Sequence, residues 1–144
     1  MANLNEHPLI LKYIEHNSFG DLIGMGFSIH SAGVVKYTLE IQQKHLATIQ
    51  AAHGGLIAAL MDATLGVGAL SHTCNFDKVV STVDMNISFL NPVKLGDKLI
   101  AESNLLKAGS RIVFMEALIY NQEGLIVSKG SGTFNAYPKE KAGY

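Results

Sequence analysis

The sequence predicts an α+β domain in which a curved antiparallel sheet of five to six strands wraps one long central helix, with a short helix ahead of it. Three observations carry this expectation: one helical stretch, from 54 to about 71, is apolar on every side; strand-like alternation precedes and follows it; and Gly, Pro and Asn turn signals divide the strands. A helix with no polar face must be surrounded by protein. Consecutive antiparallel strands supply a surface that can surround it.

The elements follow in order. Residues 8–16 put Leu9, Ile10, Tyr13 and Ile14 on one side of a short helix, which the Asn17-Ser18-Phe19-Gly20 turn signal ends, and this helix is expected to pack as a flap. Strands are expected at about 22–30 and 34–42, on either side of Ser31-Ala32-Gly33; in the second, Val35, Tyr37, Leu39 and Ile41 alternate with Lys36, Thr38 and Glu40. After the long helix, strand grammar returns beyond Asp77. The run 82–89 alternates most clearly, which puts Val83, Met85, Ile87 and Phe89 on one face and Thr82, Asp84, Asn86 and Ser88 on the other. Asn91-Pro92 and Leu95-Gly96-Asp97 lead into strands near 98–106, 111–120 and 125–134, with hairpin turns at 107–109 and 121–124. The tail, 138–144, is polar and expected to fray. The whole stretch 1–144 reads as a single domain with its core at about 21–136.

Composition narrows the function classes. Hydrophobic residues make up 48% and charged ones 16%, too few charges to cover a monomer, so a dimer or a dimer of dimers is expected. The net charge of -1 comes from 11 basic and 12 acidic residues with no Lys or Arg run, which argues against a nucleic-acid partner. The longest apolar stretch, 56–70, is interrupted by Asp62 and falls short of the roughly 20 residues a bilayer needs, so no membrane association is expected. Cys74 is the only cysteine, and the first residues show neither a basic region nor an apolar run longer than Leu9-Ile10-Leu11; a reducing, cytoplasmic location is the expectation.

Asp62 is the anomaly in this pattern. A carboxylate in the middle of an apolar helix is costly to bury unless it is paired, shifted in pKa or kept for chemistry, and a structural pairing fits the pattern as well as a functional one. At the start of the same helix, His53-Gly54-Gly55 sets two residues without a β-carbon where the first amides have no intrahelical acceptor, so an oxygen that gains negative charge can approach them. A simple loop-to-helix turn is the ordinary reading of two glycines, and His53 is expected to act as a structural hydrogen-bond donor. Eight residues separate Gly54 from Asp62, a rise of roughly 12 Å, so the two cannot serve one carbonyl within one chain. If both act on one substrate, two copies must place the glycine end of one helix against the aspartate of the other.

Other residues carry weaker signals. Arg111, the only arginine, is a candidate for holding a substrate phosphate because its guanidinium is a planar fork of donors, although a solvated strand-end charge fits equally. Asp84 reads as a solvated strand carboxylate and Cys74 as a semi-buried thiol. The six histidines show no ligand spacing, and Gly24-Met25-Gly26 lacks the third glycine of a dinucleotide loop, so neither a metal nor a nucleotide cofactor is expected.

His53-Gly54-Gly55 with Leu60-Met61-Asp62-Ala63, then the run from Val83 through Asn91-Pro92-Val93 and Leu95-Gly96-Asp97, resembles the PaaI-like (phenylacetate-pathway) thioesterases of the hotdog superfamily. The resemblance spans about 21–134. It implies the hotdog fold and hydrolysis of an acyl-CoA or related thioester without a cofactor. Carried over, it implies that the Gly54 amide, with Gly55 beside it, polarises the carbonyl, and that Asp62 of a partner chain attacks it or activates water. It also places Thr82 where relatives position that water. The chain departs from the pattern at Ala47, where relatives commonly have Asn; one oxyanion donor is worth a factor of about 100 to 1,000, so a non-hydrolytic thioester-binding protein is the alternative. Leu56, Leu60 and Phe89 are expected to shape the substrate pocket.

Overall fold

The computed structural model describes residues 2–144. Its helices are α1 (Pro8–His16), α2 (Ser18–Ile23) and α3 (Gly54–Thr73). Its strands are β1 (Gly26–Ser31), β2 (Val34–Glu40), β3 (Lys78–Phe89), β4 (Lys98–Ala108), β5 (Ile112–Tyr120) and β6 (Ile126–Pro138). The six strands form one antiparallel sheet in the order β1-β2-β4-β5-β6-β3, so β1 and β3 are its edges. The sheet wraps α3, which packs against every strand. This is the hotdog arrangement.

By length and apolarity α3 would pass for a bilayer span, but the sheet occupies most of its surface. Leu60, Met61 and Leu65 are wholly buried against Tyr37, Met115 and Ile119 of the sheet. Side chains of this size contribute about 1.5–3 kcal/mol each when fully buried. Helix and sheet approach closely because β-carbons are missing at the contact. A β-carbon at Gly130 would meet Met61, one at Gly132 would meet Leu65, and one at Gly68 would lie 2.6 Å from Met115 and 2.7 Å from the Ser103 hydroxyl.

The strand expected at about 22–30 is present as β1 but begins only at Gly26, because Ser18–Ile23 form the short helix α2. The Asn17 side chain accepts from the Gly20 N–H and caps it, and Gly24, at φ 93°, ends it with Gly24 and Met25 N–H groups both on the Gly20 carbonyl. The second strand stops at Glu40 rather than 42, with Val35, Tyr37, Leu39 and Ile41 all buried as the alternation predicts.

The strand expected from 82 begins four residues earlier, at Lys78, and its alternation is broken. Thr82 pairs with Phe134 and Asp84 with Thr133, which leaves Val83 as an inserted residue in a β-bulge. Thr82 therefore shares the inner face with Met85, Ile87 and Phe89 instead of opposing them, and Val83 is 60% exposed. The tail does not fray. It forms a 3-10 turn, Lys139–Ala142, held by Lys139 Nζ on Asp77 Oδ1 at 2.8 Å and by Lys139 N–H on the Asp77 carbonyl at 3.1 Å.

Two glycines of α3 should respond oppositely to substitution. Gly68→Val forces side chains into the sheet and should cost about 3 kcal/mol or more. Gly66→Ala meets only Phe134, at 3.6 Å, and should gain about 0.5–1 kcal/mol from helix propensity. Denaturant midpoints at constant slope measure both.

Candidate active site

Asp62 lies on the side of α3 that the sheet leaves open. The stripe Ala58, Ala59, Asp62, Ala63 and Gly66 is only half-buried, so the deeply buried carboxylate expected from the sequence is not found. The reason is topological: the sheet ends at β3, and among the described residues no strand beyond it covers this flank. Thr82 Oγ1 donates to Asp62 Oδ1 at 2.8 Å, across from the edge strand. This contact requires Thr82 on the inner face, where the bulge at Val83 puts it. Asp62 Oδ2 accepts no hydrogen bond among the described residues.

Asp62 and Thr82 stand on the wall of a cavity of about 300 Å³ that is otherwise largely apolar and aromatic. Val67 and Leu70 extend it along α3, and Leu9 and Tyr13 of α1 complete its wall together with Tyr137 and Tyr144. Burial raises the Tyr13 pKa above its ordinary value, with the Asp62 charge a smaller contribution in the same direction and the Tyr37 hydroxyl opposing it. Burial likewise pushes Tyr37 up, with Tyr13 beside it acting in the same direction. Both tyrosines remain neutral hydroxyls at physiological pH.

The helix start has a different geometry. His53 is the N-cap of α3, and its Nδ1 accepts from the Gly55 N–H at 2.8 Å. His53 is thus an acceptor at this atom rather than the donor expected, and the Gly55 amide is occupied by the cap. The Gly54 N–H has no acceptor among the described residues. It borders a second cavity, of about 220 Å³, shared with Ala51, Ile57, Phe89, Asn91 and Pro92. Phe89 approaches Gly54 closely, with a ring atom 3.7 Å from where a β-carbon would sit.

The two cavities have no lining residue in common. The structure therefore brings Asp62 together with Thr82, and Gly54 together with Phe89, but not one pair with the other. Arg111 is exposed beside β5, where its carbonyl accepts from Ala136 N–H, and it lines neither cavity. Ala47 lies in a tight turn closed by its N–H on the Ala51 carbonyl at 2.9 Å; Thr48 Oγ1 accepts from Ala51 N–H in the same turn. Neither borders the Gly54 cavity. Cys74 is buried, and burial pushes its thiol up to about 11, so it is an unreactive side chain.

Sequence reasoning missed the walls of the Asp62 cavity. Leu9 and Tyr13 carry a visible signal, four residues apart on one helix face, but nothing in the alternation tied that face to Asp62. Tyr144 carries none, because a polar tail gives no periodicity.

The thioesterase superfamily model matches residues 50–128, a span that runs from just before the helix cap to β6. Human acyl-coenzyme A thioesterase 13 is 32% identical over 102 residues, 70% of this chain and 71% of its own length. Among solved structures, the Escherichia coli PaaI protein superposes with a TM-score of 0.81 at 21% identity, covering 88% of this chain and 89% of its own. A hypothetical thioesterase from Streptococcus pneumoniae, solved with coenzyme A, gives 0.71 at 26% identity over 78% of this chain and 87% of its own. With the sheet, the embedded helix and these matches in agreement, the chain belongs to the thioesterase superfamily and is a thioester hydrolase on the hotdog fold.

Proposed function

We propose that this protein hydrolyses an acyl-CoA or aryl-acyl-CoA thioester to the free acid and CoA, in a site that two copies share. The observation that carries the reading is the separation of two chemical parts on one rigid helix. A carboxylate with one free oxygen faces an apolar cavity at Asp62, and an unpaired amide faces another at Gly54, roughly 12 Å of helix away. Neither part is sufficient alone. Two antiparallel copies of α3 would set the amide of one against the carboxylate of the other.

The chemistry then follows from the groups present. Thr82 fixes the Asp62 carboxylate through Oδ1, and Oδ2 takes a proton from water or attacks the carbonyl directly. Negative charge that develops on the carbonyl oxygen is stabilised by Gly54 N–H at the helix N-terminus, while His53 holds the helix start in shape through Gly55. On the general-base route the tetrahedral adduct expels the CoA thiolate, which takes up the proton Asp62 removed from water. On the direct route it expels the thiolate to leave an aspartyl acyl anhydride, and water then hydrolyses the anhydride, which frees the acid, restores Asp62 and supplies the proton for the thiolate. No cofactor is required. The name of the human relative and the coenzyme A in the S. pneumoniae structure support CoA as the carrier.

Self-association is supported by the edge strand. β3 is 12 residues long, forms one edge of the sheet, and leaves Val83 and Phe89 60% and 55% exposed. An unpaired edge of this length is a template for pairing with another chain. The half-buried stripe Ala58–Gly66 on α3 lies on the same flank, next to Thr82. A cytoplasmic setting, with its CoA thioesters and reducing thiol pool, fits this chemistry.

Two substitutions test the roles separately. Asp62→Asn keeps the shape of the side chain and removes its basicity, so turnover of acyl-CoA esters, followed by thiol release, should fall by orders of magnitude while the protein still sediments as a dimer. A change in melting temperature with unaltered turnover per folded molecule would assign Asp62 a purely structural role.

Gly54→Pro deletes the amide alone. Proline is favoured at the first helical position, and His53, at ψ 133°, already has the extended conformation that a following proline requires. The variant should fold and lose a factor of about 100 to 1,000 in turnover, whereas Gly54→Ala, which keeps the N–H, should lose much less. Equal turnover in the two variants would remove the amide from the mechanism.

A further inference from the structure

The cavity beside Asp62 runs along α3. Asp62, Ala63, Gly66, Val67 and Leu70 form one face of α3, so the cavity follows the helix axis for eight residues, roughly 12 Å, from the carboxylate toward the helix C-terminus. Beyond Leu70 the helix passes through the 3-10 turn Cys74–Phe76 to Asp77, whose φ of 57° is the only left-handed non-glycine conformation among the described residues. Asp77 grips the tail there: its carboxylate accepts from Lys139 Nζ and its carbonyl from Lys139 N–H. From that anchor the 3-10 turn Lys139–Ala142 carries Ala142 and Tyr144 back onto the cavity, which Leu9 and Tyr13 of α1 also line. Tyr144 N–H returns to the Lys139 carbonyl and closes the turn.

We propose that this strap, residues 139–144, clipped to Asp77 and placing Tyr144 on the cavity, is a specificity element that sets the longest acyl group the enzyme accepts. The proposal rests on Asp62 marking the reacting end of the cavity. An extended alkyl chain, with carbon–carbon bonds of about 1.5 Å at a tetrahedral zigzag, advances about 1.25 Å per methylene, so 12 Å takes up roughly ten carbons. A volume of about 300 Å³ is at the small end of ligand sites and agrees with a compact or medium-length acyl group. Longer chains meet the strap and α1. The clip is electrostatically reinforced: the hydrogen bond and charge of Lys139 hold the Asp77 carboxyl below its ordinary pKa, so it is complete at neutral pH and is lost only as pH falls through that lowered value.

The test compares wild type, Tyr144→Ala and Lys139→Ala on saturated acyl-CoA esters and on the matching non-hydrolysable S-alkyl-CoA thioethers, both over about four to sixteen carbons. For wild type, kcat/KM and thioether affinity should both fall steeply past roughly ten carbons. Tyr144→Ala opens the wall and should raise the long-to-short preference about tenfold or more, since one methylene in an apolar pocket is worth a factor of that order. Lys139→Ala removes the side-chain half of the clip and should raise it in the same direction by a smaller factor. Wild-type length profiles in both variants, for esters and thioethers alike, would overturn the proposal. If no ester is hydrolysed by wild type but the thioether limit shifts as described, the strap stands and the catalytic reading of Asp62 falls.

Discussion

Everything in this fold depends on the burial of α3 against the concave face of the sheet. A helix of 20 residues with apolar side chains on most of its circumference is stable only inside such a wrapping, and the missing β-carbons at Gly68, Gly130 and Gly132 let helix and sheet approach to contact distance. The result is a rigid rod with chemistry fixed at two places. The N-terminal amide at Gly54 and the carboxylate at Asp62 cannot move toward each other without unfolding the helix between them. A site that uses both must therefore be assembled from two rods, and the sheet that ends at β3 leaves open the flank where a second one would lie.

The bulge in β3 is the second constraint. An uninterrupted strand would turn Thr82 to the outer face, away from Asp62, with Val83 in its place. One inserted residue reverses this and gives the carboxylate a hydroxyl donor at 2.8 Å, so that one oxygen is held and the other is left free. The His53 cap acts in a similar way at the other end. By accepting from Gly55 N–H it removes one amide from competition and leaves Gly54 as the first unpaired donor of the helix.

What was legible in the sequence is what periodicity encodes. The central helix, the two strands before it and the four after it follow from apolar spacing and turn residues, and Tyr37, Leu39 and Ile41 are buried as their alternation requires. Asp62 was singled out as an exception to an apolar pattern, Gly54 from the paired glycines at the helix start, Thr82 from a family resemblance and Phe89 as a pocket-lining candidate, and the structure places all four on cavity walls. The losses are equally physical. A one-residue bulge leaves no mark on composition but inverts the facing of every residue on one side of it, so the partners of Thr82 were misread. The Asn17 cap that starts α2 looked like a turn, because the same side chain serves both. The partial exposure of Asp62 depends on where the sheet stops, and the order of Tyr144 depends on a contact between residues 77 and 139, neither of which local patterns contain.

The shared site is most directly tested by mixing two inactive variants, Gly54→Pro and Asp62→Asn, after denaturation and joint refolding in equal amounts. A mixed dimer contains one site in which an intact Gly54 faces an intact Asp62 and one in which both are lost. Random pairing makes half the dimers mixed, so about a quarter of wild-type thiol release should return, from two preparations that are each inactive alone. Recovery near that value establishes that the amide and the carboxylate come from different chains. No recovery, with mixed dimers demonstrated by mass, would contradict a site shared across two helices.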